Sequence, residues 1–392
     1  IDYCIVSSQN AGEAKEVAGI KVFAAENLAE AFDALYKPEV FCEGREFSED
    51  QGAPKGSVWI ENVLFPPVDE GFEMAEIFGQ RKLIRALQVA AAGGHNLLAF
   101  GPPGCGKTLA LQKFPGLLPL LPMEESQSVT RIHSLAGLLP PSVSIMRKGD
   151  FRMPHQTASI EGICGGGVNC RPGEISLAHN GVLFLDEAAE FRTSVLQMLR
   201  VPLETGTITL SRAGRSTVYP ANFQLLMAAN PCPCGNYGVE GKICLCSARS
   251  VEMYWRKFSG PLLDRVDLRV CVSAVEKESK NDGEENENFS TGALRKKIAV
   301  AVKKQRERGI KNSRLSPQQI SEFCGLNEEQ ERFLENQRKK NSLSQRGVSA
   351  CLKIARTIAD MENHLRIEFS DLREAVELRG NSGPLEFVLP GE

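Results

Sequence analysis

The chemistry available to this chain is indicated first by a glycine-rich loop, Gly101-Pro102-Pro103-Gly104-Cys105-Gly106-Lys107-Thr108. The loop fits the phosphate-binding pattern G-x-x-x-x-G-K-[ST], in which backbone N–H groups surround the phosphates of a nucleotide. In this pattern Lys107 reaches the β- and γ-phosphates and the Thr108 hydroxyl holds Mg²⁺, with Leu109 following. A glycine-rich turn without a ligand is the alternative, which the flanking segments disfavour. The loop predicts binding of a nucleoside triphosphate.

Polar groups at the ends of two later apolar runs could complete such a site. Asp186 and Glu187 follow the run 181–185, and Asn230 follows the run 223–229. After a phosphate loop, we expect Asp186 to complete the Mg²⁺ shell and Glu187 to polarise the attacking water. An acidic pair can also simply cap a helix, and Asn-Pro commonly ends a strand. The Asn230 amide could instead orient the water or the γ-phosphate.

These groups need a framework that brings the ends of several strands together. The run 96–100 is short and apolar, as in a buried parallel strand, and residues 109–113 read as the first turns of a helix. Runs at 181–187, 223–229 and 267–272 predict further strands, and a helix over about 80–92 precedes the first. The sequence therefore predicts an α/β domain with a parallel sheet flanked by helices.

Two β-prone runs, 207–210 and 216–219, surround a Gly-containing turn and predict a hairpin. Arg212 and Arg215 lie at its tip. One interpretation is a solvated basic turn. The other is a contact to nucleic-acid phosphates, which arginine suits.

Four cysteines lie in two close pairs shortly after Asn230: Cys232, Cys234, Cys244 and Cys246. Zn²⁺ accepts four thiolates tetrahedrally, so the group has the character of metal ligands. The Cys-x-Cys spacing is tighter than the commoner C-x₂-C spacing of zinc sites. Structural zinc, an unliganded reduced loop and a redox role all remain open.

The composition limits the class of protein that this chain can be. The 392 residues are 42% hydrophobic and 24% charged, as in a globular protein with two or three domains, and the net charge is −3. Any contact with nucleic acid must therefore be local. Twelve cysteines without a secretory signal indicate reduced thiols or metal ligands. No apolar run is long enough to span a membrane. The cytoplasm is therefore the expected location. Because the chain opens on Ile1, we expect a fragment of a longer protein.

Composition shifts divide the chain into five predicted parts. Residues 1–37 read as the end of an α/β domain, 38–71 as a Pro- and Gly-rich linker with one strand near 58–60, and 72–274 as the nucleotide-binding core. Residues 275–290 form an acidic linker, and 291–392 a helical domain. Its last helix is predicted over 369–379, with Ser370 as N-cap and Gly380 as the stop.

Taken together, these features resemble the AAA+ ATPases, and most closely their magnesium-chelatase-like YifB/ComM family. The resemblance covers nearly the whole chain. Beside the phosphate loop, the acidic strand end and the helical C-terminal part, it rests on the segments 90–98, 173–179, 230–235, 259–268 and 355–360.

The resemblance implies further roles. Asn230 matches the sensor-1 position, Arg265 the arginine finger that acts on ATP in a neighbouring subunit, and Arg346 sensor 2. The hairpin of Arg212 and Arg215 matches the pre-sensor-1 hairpin, and the segment 137–172 the helix-2 insert, both facing the pore of a ring. The assembly looks hexameric. Residues 1–37 resemble the end of a Lon-protease-like domain.

The implied function is a ring-forming motor that hydrolyses ATP with Mg²⁺ and moves single-stranded or branched DNA, as a branch-migration helicase of natural transformation or recombination. A chelatase-type or protein-remodelling motor without a nucleic-acid substrate is the alternative, and a nucleotide-gated assembly module is a third. The sequence departs from the family at His155-Gln156, where two histidines are usual, and His155 is assigned no role.

Overall fold

A computed structural model describes residues 2–15, 19–43, 52–69, 71–140, 143–167, 170–212, 215–238, 241–272 and 289–380. Nearly all of the predicted acidic linker, 275–288, lies outside these ranges, as do the two central residues of the hairpin turn, 213 and 214.

The strands of the described chain are β1 (Tyr3–Ser7), β2 (Lys21–Ala25), β3 (Cys42–Glu43), β4 (Val58–Ile60), β5 (Val63–Phe65), β6 (Leu97–Phe100), β7 (Phe151–Arg152), β8 (Gly165–Gly166), β9 (Arg171–Pro172), β10 (Val182–Leu185), β11 (Thr207–Arg212), β12 (Arg215–Pro220), β13 (Gln224–Ala229) and β14 (Leu268–Cys271). The helices are α1 (Ala11–Lys15), α2 (Leu28–Ala34), α3 (Arg81–Gly93), α4 (Lys107–Gln112), α5 (Met123–Ala136), α6 (Ile160–Cys164), α7 (Glu174–Leu177), α8 (Thr193–Met198), α9 (Arg200–Thr205), α10 (Ala248–Arg256), α11 (Gly260–Leu263), α12 (Thr291–Arg308), α13 (Pro317–Phe323), α14 (Glu328–Lys340), α15 (Gln345–Met361) and α16 (Phe369–Arg379).

A five-stranded sheet forms the centre of the nucleotide-binding part, and its strand order is β14-β6-β13-β10-β7. Every neighbouring pair is parallel. The three inner strands β6, β13 and β10 are buried along their whole length, which explains why each is a continuous apolar run rather than an alternating one. The predicted parallel sheet is confirmed.

The two faces of this sheet belong to two separate hydrophobic cores, because successive side chains of a strand point to opposite faces. In β6, Leu97 and Ala99 pack with α3 and the C-terminal helices. Leu98 and Phe100 pack on the other face with residues of α7 to α11. The sheet is thus covered by helices on both faces, and the C-terminal helices continue one of these layers.

The segment predicted as a linker contributes to this core. Strands β4 and β5 pair antiparallel, and Val63 and Phe65 of β5 are fully buried in the same core as α3. Arg295 of α12 donates to the carbonyl of Pro66 over 2.7 Å. The packed unit therefore begins before residue 72, where the sequence placed the start of the core.

The N-terminal residues form a smaller unit. Its sheet has the order β1-β2-β3, with β1 and β2 parallel and β3 antiparallel to β2. Helix α2 begins after Asn27, whose side chain accepts a hydrogen bond from the N–H of Glu30. Leu28 and Phe32 of this helix are exposed.

The C-terminal helices are joined to the core by buried polar contacts. The fully buried His95, just before β6, hydrogen-bonds Asp267 over 3.1 Å and Thr357 of α15 over 2.7 Å. Burial alone would raise the pKa of Asp267, but the hydrogen bond with His95 and the nearby charges of His95, Lys353 and Arg379 together outweigh it, so the pKa of Asp267 is lowered. No described helix has both the length and the apolar character that a bilayer span requires.

Two details of the last helix test the sequence analysis. Gly380 ends α16 as predicted. The N-cap prediction was wrong, since Glu368 occupies that position and Ser370 lies inside the first turn. Glu368 and Asp371 accept each other's backbone N–H bonds in a capping box, so the N-cap lies two residues before the predicted one.

Candidate nucleotide-binding site

The predicted phosphate loop connects β6 to α4, and its backbone requires glycine. Gly104 and Gly106 have φ values of 80° and 81°, a conformation that residues with a side chain rarely adopt. A Cβ atom on Gly101 would lie 2.0 Å from the carbonyl oxygen of Val272. The Cys105 thiol donates to the carbonyl of Pro102 over 2.9 Å, inside the loop. Leu109, one turn on, is 52% exposed and faces away from the core.

Lys107 is buried at the centre of this loop. Its ammonium group donates to the carbonyls of Gly101 and Pro102 over 2.8 and 2.6 Å, and to the Asn230 amide oxygen over 3.4 Å. The loop and the end of β13 are therefore linked by one cation. Because Asn230 follows β13 directly, the predicted sensor-1 residue lies beside the predicted phosphate-binding lysine.

The two predicted Mg²⁺ ligands also meet. The Thr108 hydroxyl donates to Asp186 Oδ1 over 3.0 Å, although 78 positions separate them in the chain. Oxygen atoms of a hydroxyl and a carboxylate are the ligands that Mg²⁺ prefers. The pair fits the octahedral, largely hydrated Mg²⁺ that usually accompanies nucleotide phosphates.

Glu187 follows Asp186 in an unusual backbone conformation, with φ 47° and ψ 48°. Its N–H donates to Asp186 Oδ1 over 3.0 Å, so the turn and the acidic pair form one unit. A positive φ at a non-glycine residue is uncommon and directs the exposed Glu187 side chain away from the line of the strand. The sequence did not reveal its partner: the Gln156 amide, in the predicted insert, donates to the Glu187 carboxylate. The ring of the neighbouring His155 hydrogen-bonds Thr157 over 2.8 Å.

The predicted arginine finger and sensor 2 lie elsewhere. Arg265 and Arg346 both bind the carboxylate of Glu204, Arg346 over 2.6 Å. These hydrogen bonds, above all the one from Arg265, lower the pKa of Glu204. We call Arg265, Arg346 and Glu204 the arginine triad. Glu204 was not predicted from the sequence, because no motif marks it.

The arginine triad lies at the amino ends of the strands. The Asn96 side chain, one residue before β6, donates to the Arg265 carbonyl over 2.9 Å. The phosphate loop starts after the other end of β6, about 15 Å away along an extended strand. Arg265 is held there from both domains, since the fully buried Arg379 donates to the Val266 carbonyl and Ser344 to Asp264 over 3.3 Å. The structure thus does not bring Arg265 and Arg346 to this chain's own phosphate loop.

The predicted hairpin is present as β11 and β12, which pair antiparallel from Thr207 and Pro220 to the tip. Arg212 and Arg215 are opposite each other at the last described position before the turn. Ile208 and Leu210 pack against the core at the base of the hairpin. The backbone therefore presents both arginines at the far end of a supported arm.

The four cysteines converge as well. Their sulfur atoms all lie within 4.8 Å of one another, and all four thiols are free. The residues are those predicted as zinc ligands: Cys232, Cys234, Cys244 and Cys246. We refer to them as the cysteine cluster, a group that could hold a metal ion.

The parallel sheet, its phosphate loop and the attached C-terminal helices define the class of the chain, an AAA+ protein. Comparisons with known proteins give the family. Residues 73–280 match the family model described as magnesium chelatase, subunit ChlI, and residues 288–379 match the C-terminal model of the same subunit.

The similarity to individual known proteins supports the same family assignment. The chain is 37% identical to competence protein ComM of Haemophilus influenzae over 96% of its length and 71% of the relative. It is 36% identical to YifB of Salmonella typhimurium, which is uncharacterized, over 96% and 70% of the two chains. An uncharacterized Mycobacterium tuberculosis protein is 39% identical over 78% of this chain, which spans 61% of that relative. The chain therefore belongs to the magnesium chelatase subunit ChlI family, in the branch that contains YifB and ComM.

Proposed function

We propose that this chain is the motor part of a Mg²⁺-dependent ATPase that moves DNA. The observation that carries the proposal is the meeting of four predicted groups at the carboxyl ends of the central strands. Lys107 contacts Asn230, and Thr108 contacts Asp186, which is followed by Glu187. Ligands of open α/β sheets bind at these strand ends.

The roles follow from charge and position. Lys107 and the loop N–H groups bind the β- and γ-phosphates, and Thr108 and Asp186 hold Mg²⁺, which neutralises charge on the phosphates when it is bound. The Glu187 carboxylate orients the attacking water and takes up its proton, while the Asn230 amide faces the γ-phosphate. Most of the rate enhancement comes from fixed charges that need no rearrangement during reaction.

We propose that Arg265 and Arg346 serve the ATP of a neighbouring subunit. Their position at the opposite ends of the strands supports this, since neither can reach the phosphate loop of its own chain. A contact in which one surface meets a different surface of the next copy generates a ring when the rotation closes. The family's AAA+ members typically oligomerise, and a hexamer is the assembly we propose.

The proposed substrate is single-stranded or branched DNA, and the proposed location is the cytoplasm. Support comes from the supported hairpin that carries Arg212 and Arg215, and from the relative named competence protein ComM. Within this proposal the motor drives branch migration during transformation or recombination. The hairpin and the insert at 137–172 face the central pore and contact DNA phosphates.

The ATP assignment is tested with two variants of the assembled protein. Lys107→Ala is expected to abolish nucleotide binding or turnover. Glu187→Gln is expected to bind ATP normally and to lose hydrolysis by at least about 100-fold, because the water loses its general base. Glu190→Gln, an exposed acid three residues away, is the matched control. Full turnover in Glu187→Gln would remove this residue from the mechanism.

The DNA assignment is tested by the ATPase rate with and without single-stranded and branched DNA, at two salt concentrations. Phosphate contacts predict a stimulation that fades as salt rises. Arg212→Ala/Arg215→Ala should lose the stimulation and keep the basal rate.

A second function, a chelatase-type or protein-remodelling motor, has support of its own. The chain is 24% identical to the magnesium-chelatase 38 kDa subunit of Rhodobacter capsulatus, over 41% of its length. A rate indifferent to DNA in the assembled ring would favour that function. Nucleotide binding with negligible turnover would favour the third hypothesis, a nucleotide-gated assembly module.

A further inference from the structure

The cysteine cluster has the dimensions of the coordination shell of one metal ion. Cys232 Sγ lies 3.3 Å from Cys234 Sγ and 3.7 Å from Cys244 Sγ, and the latter two are 3.5 Å apart. Four thiolates around Zn²⁺, each about 2.3 Å from the metal, lie about 3.8 Å from one another. The observed separations approach this value and are well beyond the length of a disulfide bond, about 2.05 Å.

In the loop that supplies Cys244 and Cys246, the cysteines point inward and the aliphatic side chains point to solvent. Among residues 241–247, only Cys244 and Cys246 are half-buried, and the others are exposed. Ile243 and Leu245, which alternate with them, are 81% and 89% exposed. Burial of aliphatic surface would turn Ile243 and Leu245 inward. The loop is therefore organised around its sulfur atoms.

The backbone around Cys232 and Cys234 is arranged to support thiolates. Gly235, with φ 77°, turns the chain so that its N–H bonds the Cys232 carbonyl over 3.0 Å. The next turn aims the N–H of Tyr237 at Cys232 Sγ over 3.4 Å. Amide N–H groups that point at a ligating sulfur orient it and stabilise its charge.

The cluster also touches the candidate nucleotide site. Cys232 lies two residues after Asn230, and the intervening Pro231 accepts a hydrogen bond from Trp255 over 2.9 Å. Gly235 packs so closely on the phosphate loop that a Cβ atom there would lie 2.7 Å from Pro103 Cδ. The loop of the cluster thus fills the space between α10, the end of β13 and the phosphate loop.

From these observations we propose that Cys232, Cys234, Cys244 and Cys246 bind one structural Zn²⁺ ion, which braces Asn230 and the phosphate loop. Four thiols lose their protons as the ion binds, and the protons pass to solvent. The bound ion cross-links the segment of Cys232, which is buried in the core, to the segment 241–247, whose aliphatic side chains Ile243 and Leu245 are exposed. The metal site stands on its own, whereas its effect on the nucleotide rests on the proposed ATP site.

The first experiment measures metal content of the protein purified under reducing conditions. We expect about one zinc per chain. The double variant Cys234→Ser/Cys246→Ser should lose it, and Cys42→Ser, which removes an exposed thiol outside the cluster, should retain it. If the double variant does not fold, the wild-type protein still answers: a mercurial that blocks thiols should release its zinc. Wild-type protein with no zinc that also takes up none, or with iron in its place, overturns the proposal.

The second experiment measures whether bound zinc stabilises the nucleotide site. The chain has two tryptophans, so Trp59→Phe leaves Trp255 as the reporter beside Pro231. Removal of zinc should shift the Trp255 emission and weaken binding of a fluorescent ATP analogue by about tenfold, because displacement of a site by about 1 Å is costly. If the affinity for the ATP analogue is unchanged after complete loss of zinc, the ion does not stabilise the nucleotide site. A zinc-loaded protein that binds no nucleotide at all would instead overturn the proposed ATP site and leave the metal site intact.

Discussion

The phosphate-loop site and the arginine triad differ in how completely one chain builds them. At the phosphate loop, the predicted groups already contact each other, through Lys107 with Asn230 and Thr108 with Asp186. In the arginine triad, Arg265 and Arg346 converge on Glu204. The first site has cationic and anionic groups around a loop, whereas the second presents two cations held by one acid.

This difference indicates what each site would gain from a second subunit. Lys107, the cation that contacts Asn230, comes from the phosphate loop itself, and Glu204 is the acid that both arginines bind. In the proposed ring, a neighbouring copy would bring a second cation to the phosphate loop and a phosphate anion to the arginines. The comparison therefore predicts that neither site works without the other, and that the two need not be on the same chain.

The largest expected effect follows from separating the two sites. Arg265→Ala should reduce the ATPase rate by about 10³-fold or more, as the loss of an arginine finger does in related systems. Lys107→Ala should be equally inactive, for a different reason. An equal mixture of the two variants, assembled together, should recover about a quarter of the wild-type rate, because that share of random interfaces pairs an intact loop with an intact arginine.

Mixing Lys107→Ala with wild-type protein provides the control for subunit exchange. If Arg265→Ala alone keeps its activity, or if the mixture stays inactive although the subunits exchange, the division of labour between chains is wrong.

A smaller effect is expected at Glu204. Glu204→Gln keeps the shape and removes the charge that holds both arginines, so their side chains should become more mobile. We expect about a tenfold lower rate, less than for Arg265→Ala, with little change in thermal stability because the carboxylate is exposed. Steady-state kinetics and a melting curve measure the two. A large fall in stability with no kinetic change would make Glu204 a structural residue only.

The residues proposed for the phosphate-loop site could be grouped from the sequence because their signals are local. Lys107, Asp186, Glu187 and Asn230 each stand directly at the end of a short apolar run or within a known loop pattern. Parallel strands then bring those ends together without further information. The two faces of the sheet were equally accessible to prediction, since continuous apolar runs imply burial on both sides.

The missed features depend on partners that are distant in sequence or on competing local contacts. Glu204 gains its role from residues 61 and 142 positions away, and nothing in its own segment indicates them. Strand β5 is only three residues long, within a Pro- and Gly-rich segment, so its burial could not be read from periodicity. Ser370 is a residue type that favours the N-cap position, but the capping box of Glu368 and Asp371 makes Glu368 the N-cap instead.

The smallest effect is expected at Gln156, which tests whether the phosphate-loop site is as complete as its geometry indicates. Its amide donates to the carboxylate of Glu187, which we propose orients water, and it belongs to the insert that we propose faces DNA. Gln156→Leu removes this hydrogen bond without changing the charge. We expect the basal ATPase rate to rise a few-fold and the stimulation by DNA to shrink, because a freed Glu187 no longer depends on movement of the insert. His155→Ala, next to it, should change neither rate, since the His155 ring hydrogen-bonds Thr157. A fall in basal rate with Gln156→Leu would mean that Gln156 helps to position Glu187 for catalysis, and the site would then need the insert as well as the strand ends.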